Sequence, residues 1–414
     1  MMEAVIVSAV RTPVGRYMGA LKNIEAYDLA AKVLNAAVEK ARISPEQVDE
    51  VIMGQSYQNG EYVNIARMAL LQAGWPDHIP GVTLDRRCCT GLEVVRYAAA
   101  LIRSNQAEIV MAGGVESMSN AEFYLPGRIK WGLGGQGGMP KGHGDVSIWG
   151  LPFYDRIQRA RVMSQPRARY GILPSMMSWA ETAAEEESIS RQACDQWSLE
   201  SHRKAVFAAS DGRFDDEILP VEVPDKKGAV VLFGADETPR PDTSIETLAG
   251  LKPVMGGVCT AGNSSTESDG AAAVVVTSAE KARELGVEPL ASIQSCAVVG
   301  GDPRRAYQTV PLAVRKALEA SQMTLDQIGR IEIQEAFAAQ VLADLKALGL
   351  GVGDYKKINV NGSGISLGHP IACTGTRVLV TLLHEMKRED IEYGLVSICG
   401  GGGLGIAAVL RKGS

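Results

Sequence analysis

The chain has 414 residues, enough for two or three domains with sizeable cores. Its 42 Lys and Arg against 48 Asp and Glu give a net charge of −6, which argues against general nucleic-acid binding. No apolar run is long enough to span a bilayer, and the seven scattered cysteines lack the pattern of a disulfide framework. With 45 glycines and 5% aromatic residues, the composition favours an α/β protein.

The first predicted element is a strand near the N-terminus, within the sequence VIVSAVRTP. No basic region followed by a long apolar segment precedes it, so we expect no signal peptide. The odd number and the scattered placement of the cysteines predict a reducing compartment. From the sequence we therefore expect a cytoplasmic protein without a membrane or nucleic-acid partner.

Two segments 280 positions apart resemble each other, ISPEQVDEVIMGQ at residues 43–55 and MTLDQIGRIEIQE at residues 323–335. In each, a hydroxyl residue (Ser44 or Thr324) is followed three positions later by a glutamine (Gln47 or Gln327), the spacing of a helix capping box. A helical pattern precedes each segment and a short strand ends it. The pattern indicates an internal duplication.

The tripeptide Cys-Thr-Gly also occurs twice, at residues 89–91 and 373–375, and each copy opens a long helical pattern that leads to a strand. The last strand of the second copy, at residues 405–411, matches residues 270–278, far downstream of the first copy. Roughly residues 123–259 are therefore predicted to be inserted. The alternating helices and apolar strands predict a mostly parallel sheet covered on both faces. A pseudo-twofold between the copies would bring their equivalent helix starts face to face.

The predicted insertion is rich in glycine and in cations. The glycine-rich run at residues 131–144 lacks the strand-to-helix context of a dinucleotide fingerprint. The cations suggest an anionic ligand such as a nucleotide phosphate, and the alternative is a solvated loop face. These cations are Arg128, Lys130, Lys141, Arg156, Arg159, Arg161, Arg167 and Arg169.

Two adjacent cysteines, Cys88 and Cys89, follow two arginines where a helix begins. Adjacent cysteines form strained disulfides and are poorly spaced for zinc. A helix N-terminus and nearby arginines lower a thiol pKa, so the pair is a candidate for a nucleophile. The alternative is a pair of small buried residues.

Two further segments carry chemistry. His369 lies in the glycine- and proline-rich stretch NGSGISLGHPIACTG, where a ligand can approach the backbone closely. Cys399 ends a predicted strand and is followed by four glycines. Consecutive glycines expose backbone N–H groups, which an oxyanion site requires.

Taken together, these motifs resemble those of the thiolase family. The chain has CCTG at residues 88–91, QEAFA at 334–338, GHP at 368–370 and CGGGGLG at 399–405. The family pattern is C-x-[ST]-G, N-E-A-F-A, G-H-P and C-x-G-G-G-x-G, in this order. The segments TAGNSSTESDGAA and VIVSAVRTPVGR also look thiolase-like, so the resemblance covers essentially the whole chain.

The resemblance implies a duplicated α/β core of two related mixed-sheet halves, layered α/β/α/β/α, with an inserted loop domain. The N-terminal half would comprise residues 1–122 and 260–286. The inserted loop domain would comprise residues 123–259, and the C-terminal half residues 287–414.

The resemblance also implies an acyltransferase that cleaves a 3-oxoacyl-CoA with CoA to acetyl-CoA and a shortened acyl-CoA, or runs the reverse Claisen condensation. Cys88 would be the nucleophile, His369 its base, and Cys399 the acid and base at the α-carbon. One oxyanion site would use the backbone N–H groups of Cys88 and Gly401. The other would use His369 and a water held by Gln334.

For ligands, the resemblance implies coenzyme A as co-substrate, no tightly bound cofactor and no metal. Ser265 is the candidate for contact with the pantetheine arm of CoA. We also expect a homodimer or homotetramer and a role in fatty-acid β-oxidation. The acyl chain and the physiological direction are left open.

The sequence departs from the family pattern at three positions. Gln334 replaces the family Asn, Trp179 stands where a small residue is usual, and Ser175 stands where acetoacetyl-CoA thiolases often have His. We expect a pocket for an acyl group bulkier than acetyl, with a mobile glycine-rich loop. The alternative is that Trp179 plugs the pocket and shortens it.

Two other functions compete with this one. A ketoacyl-synthase-like condensing enzyme would share the fold and the nucleophilic cysteine, but the cysteine in CGGGGLG argues against it. A thiolase-like subunit without catalytic activity is the second alternative, and Gln334 gives it some weight.

Overall fold

The computed structural model describes residues 2–125, 153–225 and 227–413. The strands are β1 (Ala4–Arg11), β2 (Gly15–Arg16), β3 (Glu50–Gly54), β4 (Gly81–Leu84), β5 (Ile109–Ser117), β6 (Phe123–Tyr124), β7 (Tyr154–Asp155), β8 (Val221–Pro224), β9 (Val230–Phe233), β10 (Ser268–Ser278), β11 (Ala291–Gly300), β12 (Arg330–Ile333), β13 (Tyr393–Gly400) and β14 (Leu404–Lys412).

The helices are α1 (Ala26–Ala41), α2 (Ile65–Gln72), α3 (Thr90–Arg103), α4 (Arg156–Val162), α5 (Arg167–Tyr170), α6 (Met177–Glu187), α7 (Arg191–Ser210), α8 (Ile245–Ala249), α9 (Ala279–Leu285), α10 (Thr309–Ser321), α11 (Ala338–Leu348), α12 (Gly364–Leu367) and α13 (Ile371–Arg388). None of these described helices combines the length and the apolarity needed to cross a membrane.

A single path of paired strands runs through the molecule in the order β12-β13-β14-β11-β1-β10-β5-β3-β4. At its middle, β1 and β11 pair only at Val5–Ser292 and Ile6–Ala291. Outward from this junction the order β1, β10, β5, β3 on one side corresponds to β11, β14, β13, β12 on the other. This repetition confirms the duplication predicted from the sequence.

The prediction of a mostly parallel sheet is wrong for the strands near the junction. The pairs β3–β4, β3–β5 and β12–β13 are parallel. The pairs β1–β10, β5–β10, β11–β14 and β13–β14 are antiparallel. A parallel pair needs a crossover of about a dozen residues or more, whereas only residues 401–403 separate β13 from β14. Both halves are therefore mixed sheets, as the resemblance implied.

Three buried clusters define five layers. Apolar residues of α1 and α2 cover the outer face of the N-terminal sheet, and those of α10 and α11 cover the outer face of the C-terminal sheet. Between the sheets, α3 and α13 contribute residues to a third cluster. The layering is therefore α/β/α/β/α, with α3 and α13 as the shared central layer.

The two predicted capping boxes are confirmed, but each caps a short turn. The Gln47 side chain accepts from the Ser44 N–H at 2.8 Å, and Gln327 accepts from the Thr324 N–H at 2.8 Å. In both copies the capped element is a three-residue 3₁₀ helix that leads directly into a strand.

The segment between β5 and β10 packs on both halves. In α7, Trp197 packs edge-to-face on Tyr355 with ring centroids 5.1 Å apart, and Ser201 donates to Glu335 at 2.6 Å. Val221 of β8 is instead buried in the core cluster of the N-terminal half. The boundaries predicted at residues 122/123, 259/260 and 286/287 stay predictions.

The central helices touch where both have glycine. A Cβ added to Gly91 would lie 2.5 Å from the Thr376 nitrogen and 2.7 Å from the Ala372 oxygen. The Thr376 hydroxyl donates to the Gly91 carbonyl at 2.7 Å. Gly375 is equally close to the backbone of α3. The starts of α3 and α13 therefore lie face to face, as predicted from the pseudo-twofold.

We predict that Gly91→Ala destabilises the protein, because the added methyl group meets backbone atoms of α13 that cannot move alone. Overpacking of this kind lowers the free energy of unfolding by about 1–3 kcal/mol. The midpoint of thermal unfolding measures the effect. Gly353→Ala is the matched control, since nothing lies within 4 Å of its added Cβ. Equal midpoints for the two variants would contradict the contact.

Candidate active site

A solvent-open cleft with about 920 Å³ of space lies at the starts of the two central helices. It brings together Cys88, Ser265, His369, Cys399 and Gly401, which come from four widely separated segments of the chain. These are five of the six predicted site residues. The sixth, Gln334, lies outside the cleft lining.

Cys88 is in a tight turn directly before α3. The preceding residue, Arg87, has a left-handed backbone with φ of 54°, and Cys89 is the N-cap of the helix. Cys88 is half-buried and lines the cleft. The backbone N–H of Gly401 hydrogen-bonds to its sulfur, so the glycine turn after β13 directs a donor at the nucleophile candidate.

The net electrostatic effect on Cys88 is opposite to the one expected from the sequence. Burial raises the pKa of the Cys88 thiol to about 11, and the Gly401 N–H and the Arg87 charge offset only part of this rise. Desolvation of the thiolate outweighs the nearby positive charge. In the resting site Cys88 is therefore a protonated thiol.

Cys89 has a different environment. It is 0% exposed and belongs to the cluster between the two sheets. Its Sγ lies 3.5 Å from the Ile398 carbonyl, and a Cβ on Gly400 would come within 3.0 Å of it. Cys373, its counterpart in the second copy, is buried in the same cluster. Cys89 is absent from the cleft lining, which agrees with a packing role.

His369 is held by its ring and by its backbone. Nδ1 lies 2.7 Å from the Thr374 hydroxyl, which itself donates to the Pro370 carbonyl at 3.1 Å. The hydroxyl therefore accepts from Nδ1–H, and this assigns the lone pair to Nε2. Burial, and then the charges of Arg377 and Arg161, lower the pKa of His369 to about 3. At neutral pH the imidazole is uncharged and can accept a proton.

Cys399 is the second thiol at the cleft. It lies near the end of β13, is 1% exposed and still contributes to the lining. Burial raises its pKa, and the neighbouring Cys88 and Asp344 raise it further. The Cys399 side chain is therefore a protonated thiol, which suits a proton donor.

Gln334 follows β12 and is completely buried. Its backbone N–H donates to Ser397 at 3.0 Å, and its side-chain amide lies against Gly364. Neither amide atom has a hydrogen-bond partner among the described residues. The carboxylate of the next residue, Glu335, has hydrogen-bond partners, because it accepts from Trp197, Ser201 and other donors. Glu335 therefore has a structural role.

Ser265 lines the cleft as predicted. Its backbone N–H donates to the Ala336 carbonyl at 2.9 Å, so this segment is fixed to the QEAFA motif. The backbone N–H of His369 donates to Thr266 at 3.1 Å. Segments 265–266, 334–338 and 368–370 therefore form one connected wall.

The two residues that depart from the family pattern in the insertion, Ser175 and Trp179, both line the cleft. Trp179 is 3% exposed and packs edge-to-face on Phe337 with ring centroids 5.1 Å apart. The predicted mobile loop at residues 131–144 lies outside the described residues, as do Arg128, Lys130 and Lys141.

Sequence reasoning did not assign Tyr57, Arg87 or Glu267 to the site, and it named Arg161 only among the cations that suggested an anionic ligand. Arg161 and Glu267 form an ion pair across the cleft lining. The excess of cations in the insertion and the two arginines before Cys88 were signals for Arg161 and Arg87. No pattern in the sequence marks Tyr57, which reaches the cleft only through the fold, whereas Glu267 lies in the thiolase-like segment TAGNSSTESDGAA, two residues after Ser265.

The described part of the chain contains no group of three or more His, Cys, Asp or Glu side chains arranged to hold a metal ion. The predictions of no metal and no tightly bound cofactor stay predictions.

Comparison with known proteins places the whole chain in one family. Residues 4–280 match the thiolase N-terminal domain, and residues 287–412 match the thiolase C-terminal domain. The chain is 44% identical to an acetyl-CoA acetyltransferase of Cupriavidus necator, with 100% of both chains covered. It is 38% identical to a probable acetyl-CoA acyltransferase of Staphylococcus aureus, again over 100% of both.

Two solved structures share the fold. The crystal structure of a Bacillus anthracis acetyl-CoA acetyltransferase has a TM-score of 0.90 at 40% identity and covers 100% of this chain and 99% of that one. The structure of human mitochondrial 3-ketoacyl-CoA thiolase has a TM-score of 0.90 at 34% identity, with 99% of each chain covered. The protein therefore belongs to the thiolase family and is an acyltransferase of that family.

Proposed function

We propose that this chain cleaves a 3-oxoacyl-CoA with CoA, or runs the reverse Claisen condensation, through an acyl-enzyme on Cys88. The observation that carries the proposal is the convergence of Cys88, His369, Cys399 and the Gly401 N–H on one cleft. The relatives named acetyl-CoA acetyltransferase and the solved 3-ketoacyl-CoA thiolase support the same reaction.

The first step follows from the protonation states of Cys88, a neutral thiol, and His369, a neutral imidazole. The Cys88 proton passes to the unprotonated Nε2 of His369 as the sulfur attacks the 3-oxo carbon. Because thiol and imidazole are both neutral at rest, charge develops only as the bond forms. The tetrahedral intermediate then breaks the bond between the α-carbon and the former 3-oxo carbon. The acyl group stays on sulfur as a thioester, and the enolate of acetyl-CoA leaves.

Two sites would stabilise the oxyanions. The Gly401 N–H is directed at the Cys88 sulfur and, with the N–H of Cys88, would receive the oxygen of the tetrahedral intermediate. The enolate oxygen would be held by protonated His369 and by a water bound to Gln334. The unpartnered amide of Gln334 supports this role, because a buried amide is expected to find a hydrogen-bond partner.

Cys399 would protonate the enolate at its α-carbon. Its thiol is protonated and desolvated, and burial keeps its pKa high enough for the proton to stay on sulfur until the carbanion develops. His369 then returns its proton to the Cys399 thiolate. CoA attacks the Cys88 thioester while His369 takes the CoA thiol proton and passes it to the leaving Cys88 sulfur, which releases the shortened acyl-CoA and returns the enzyme to its starting state. Ser265, in the cleft wall, would contact the pantetheine arm of CoA.

The two alternatives differ from this proposal at Cys399 and Gln334. A ketoacyl-synthase-like enzyme would pair its cysteine with two His, or with His and Asn, and the presence of Cys399 in the lining favours the thiolase reaction. A non-catalytic subunit would consume no free CoA. Measurement of CoA consumption with a 3-oxoacyl-CoA therefore separates an enzyme from a scaffold.

Further parts of the proposal concern the setting of the reaction. We infer a homodimer or homotetramer, a cytoplasmic location and a role in fatty-acid β-oxidation. Analytical ultracentrifugation tests the assembly, and localisation of a tagged chain tests the compartment.

We predict that Cys88, and not Cys89, carries the acyl group. Incubation with an acyl-CoA followed by peptide mapping should place the added mass on Cys88. Cys88→Ala should reduce thiolysis by more than about a thousandfold, because the nucleophile is lost. Cys89→Ala is the matched control and should still be acylated at Cys88. Acylation of Cys89 in the Cys88→Ala variant would overturn the assignment.

We predict that alkylation of Cys88 by iodoacetamide accelerates steadily from pH 7 to pH 10. The thiol pKa of about 11 lies above this range, so the thiolate fraction grows about tenfold with each pH unit. Mass spectrometry of the Cys88 peptide gives the rate. In urea-unfolded protein the rate should level off above about pH 9, since a free thiol has a pKa near 8.5. A plateau near pH 7 in the folded protein would indicate a resting thiolate instead.

We predict that Cys399→Ala retains acyl transfer but loses carbon–carbon bond chemistry. Exchange of labelled CoA into an acyl-CoA needs Cys88 and His369 but not Cys399, and it should continue. Thiolysis of a 3-oxoacyl-CoA needs a proton at the α-carbon and should fall about 10²–10⁴-fold. Near-normal thiolysis would show that Cys399 is not this acid.

We predict a preference for an acyl group bulkier than acetyl beyond the 3-oxo carbon. The apolar surface of Trp179 and Phe337 should stabilise each buried methylene by about 0.8 kcal/mol. The value of kcat/KM should therefore rise from acetoacetyl-CoA to 3-oxohexanoyl-CoA. A higher value for acetoacetyl-CoA would mean that Trp179 shortens the pocket.

A further inference from the structure

We propose that the cleft recognises a carboxylate on the acyl part of the substrate through Arg87, Arg161 and the Tyr57 hydroxyl. The substrate would then be the 3-oxoacyl-CoA of a dicarboxylic acid. This inference rests on the proposed thiolase function and specifies its substrate class.

The three side chains are grouped around one part of the cleft. All of them line it, and Arg87 directly precedes Cys88. Burial raises the pKa of the Tyr57 phenol, Glu116 raises it further, and the positive charges of Arg161 and Arg87 oppose this rise. Cys88 also raises the pKa of the Tyr57 phenol. Tyr57 is therefore within electrostatic reach of both guanidinium groups and of the nucleophile.

The charges in this part of the cleft are unbalanced. Glu267 is the single acidic residue of the described lining, and it pairs with Arg161. Within the described part of the chain, no carboxylate lies within 4.0 Å of the Arg87 guanidinium. The second arginine therefore gives the described lining a net positive charge, which an anion of the substrate would neutralise.

Two other roles for this charge fit the structure less well. Arg87 does not keep Cys88 ionised, because the thiol pKa is raised despite it. The phosphates of CoA are separated from the thioester by the whole pantetheine arm, whereas Arg87 adjoins the residue that attacks the acyl group. The anion must therefore belong to the acyl part of the substrate.

Arg161 can bind the substrate while it keeps Glu267. A guanidinium has five N–H donors, and Glu267 uses the Nη2 side. The remaining donors suit a carboxylate, which arginine binds with two parallel hydrogen bonds. Its other contact, from Nη1 to Gln158 at 3.4 Å, is long and leaves that nitrogen available.

The experiment compares 3-oxoadipyl-CoA with 3-oxohexanoyl-CoA, which have the same chain length but end in a carboxylate and a methyl group. We expect kcat/KM for thiolysis to be at least about tenfold higher with the carboxylate substrate, as charge-assisted hydrogen bonds provide. The methyl ester of 3-oxoadipyl-CoA, which removes the charge and adds one methyl group, should lose this advantage.

Substitutions in the cleft lining test which residues bind the substrate carboxylate. Arg161→Gln and Arg87→Gln should each lower the carboxylate-to-methyl ratio of kcat/KM about tenfold, and Tyr57→Phe by less. Glu267→Gln should raise the ratio, because it removes the charge that competes for Arg161. Arg159→Gln is the matched control, since Arg159 is on the same helix but stacks on Tyr154 at 4.4 Å, outside the cleft lining. Its ratio should match that of the unaltered protein.

Arg87 has a left-handed backbone, so Arg87→Lys is measured beside Arg87→Gln. The lysine variant keeps the charge and should restore part of the ratio if the charge binds substrate. Turnover of the methyl substrate without any gain from the carboxylate would overturn this inference alone. Absence of thiolysis with every substrate would overturn the proposed function, and this inference with it.

Discussion

The contact between Gly91 of α3 and Gly375 of α13 is the constraint on which the site depends. Two glycines let the backbones of the central helices approach more closely than any side chain would allow. Cys88 precedes one helix and His369 precedes the other. A wider separation of the helices would move both groups apart, and with them the contacts to Cys399 on β13 and to Gly401 in the turn that follows it. The duplicated fold therefore places the chemistry at its own pseudo-symmetric centre.

Burial, more than local charge, sets the protonation states in the cleft. The same desolvation raises the thiol pKa values of Cys88 and Cys399 and lowers that of His369. All three groups are neutral at rest, which suits a reaction in which a proton moves only as carbon bonds form and break. The described lining also holds Arg87 and Arg161 against one carboxylate, Glu267, and this excess of positive charge is informative about the ligand.

The inserted segment differs from the core in what it contributes. The core halves supply Cys88, His369 and Cys399, the proposed nucleophile, base and acid, whereas the predicted insertion supplies Arg161, Ser175 and Trp179 to the cleft wall. The residues proposed to carry the chemistry are therefore separated in sequence from those proposed to select the acyl group. The ion pair between Arg161 and Glu267 is the point at which the insertion is tied to the core at this wall.

The sequence by itself determined the duplication, the order of elements and the residues at the helix starts. These are local properties: hydrophobic periodicity, capping boxes and glycine-rich turns each depend on a few neighbouring residues. It also predicted Cys88, His369, Cys399, Gly401 and Ser265 from short motifs, and the structure brings these five residues to one cleft. Strand direction near the junction was mispredicted, since the pairing of β10 between β1 and β5 joins residues far apart in the chain.

Only the tertiary structure decided the electrostatics and the full lining of the cleft. The charge at the start of α3 predicted a lowered Cys88 pKa, but the depth at which folding buries the thiol reversed the direction. Tyr57 stands outside the motifs and reaches the site because distant segments converge there. Desolvation and convergence depend on all the surrounding segments at once, and no local pattern records them.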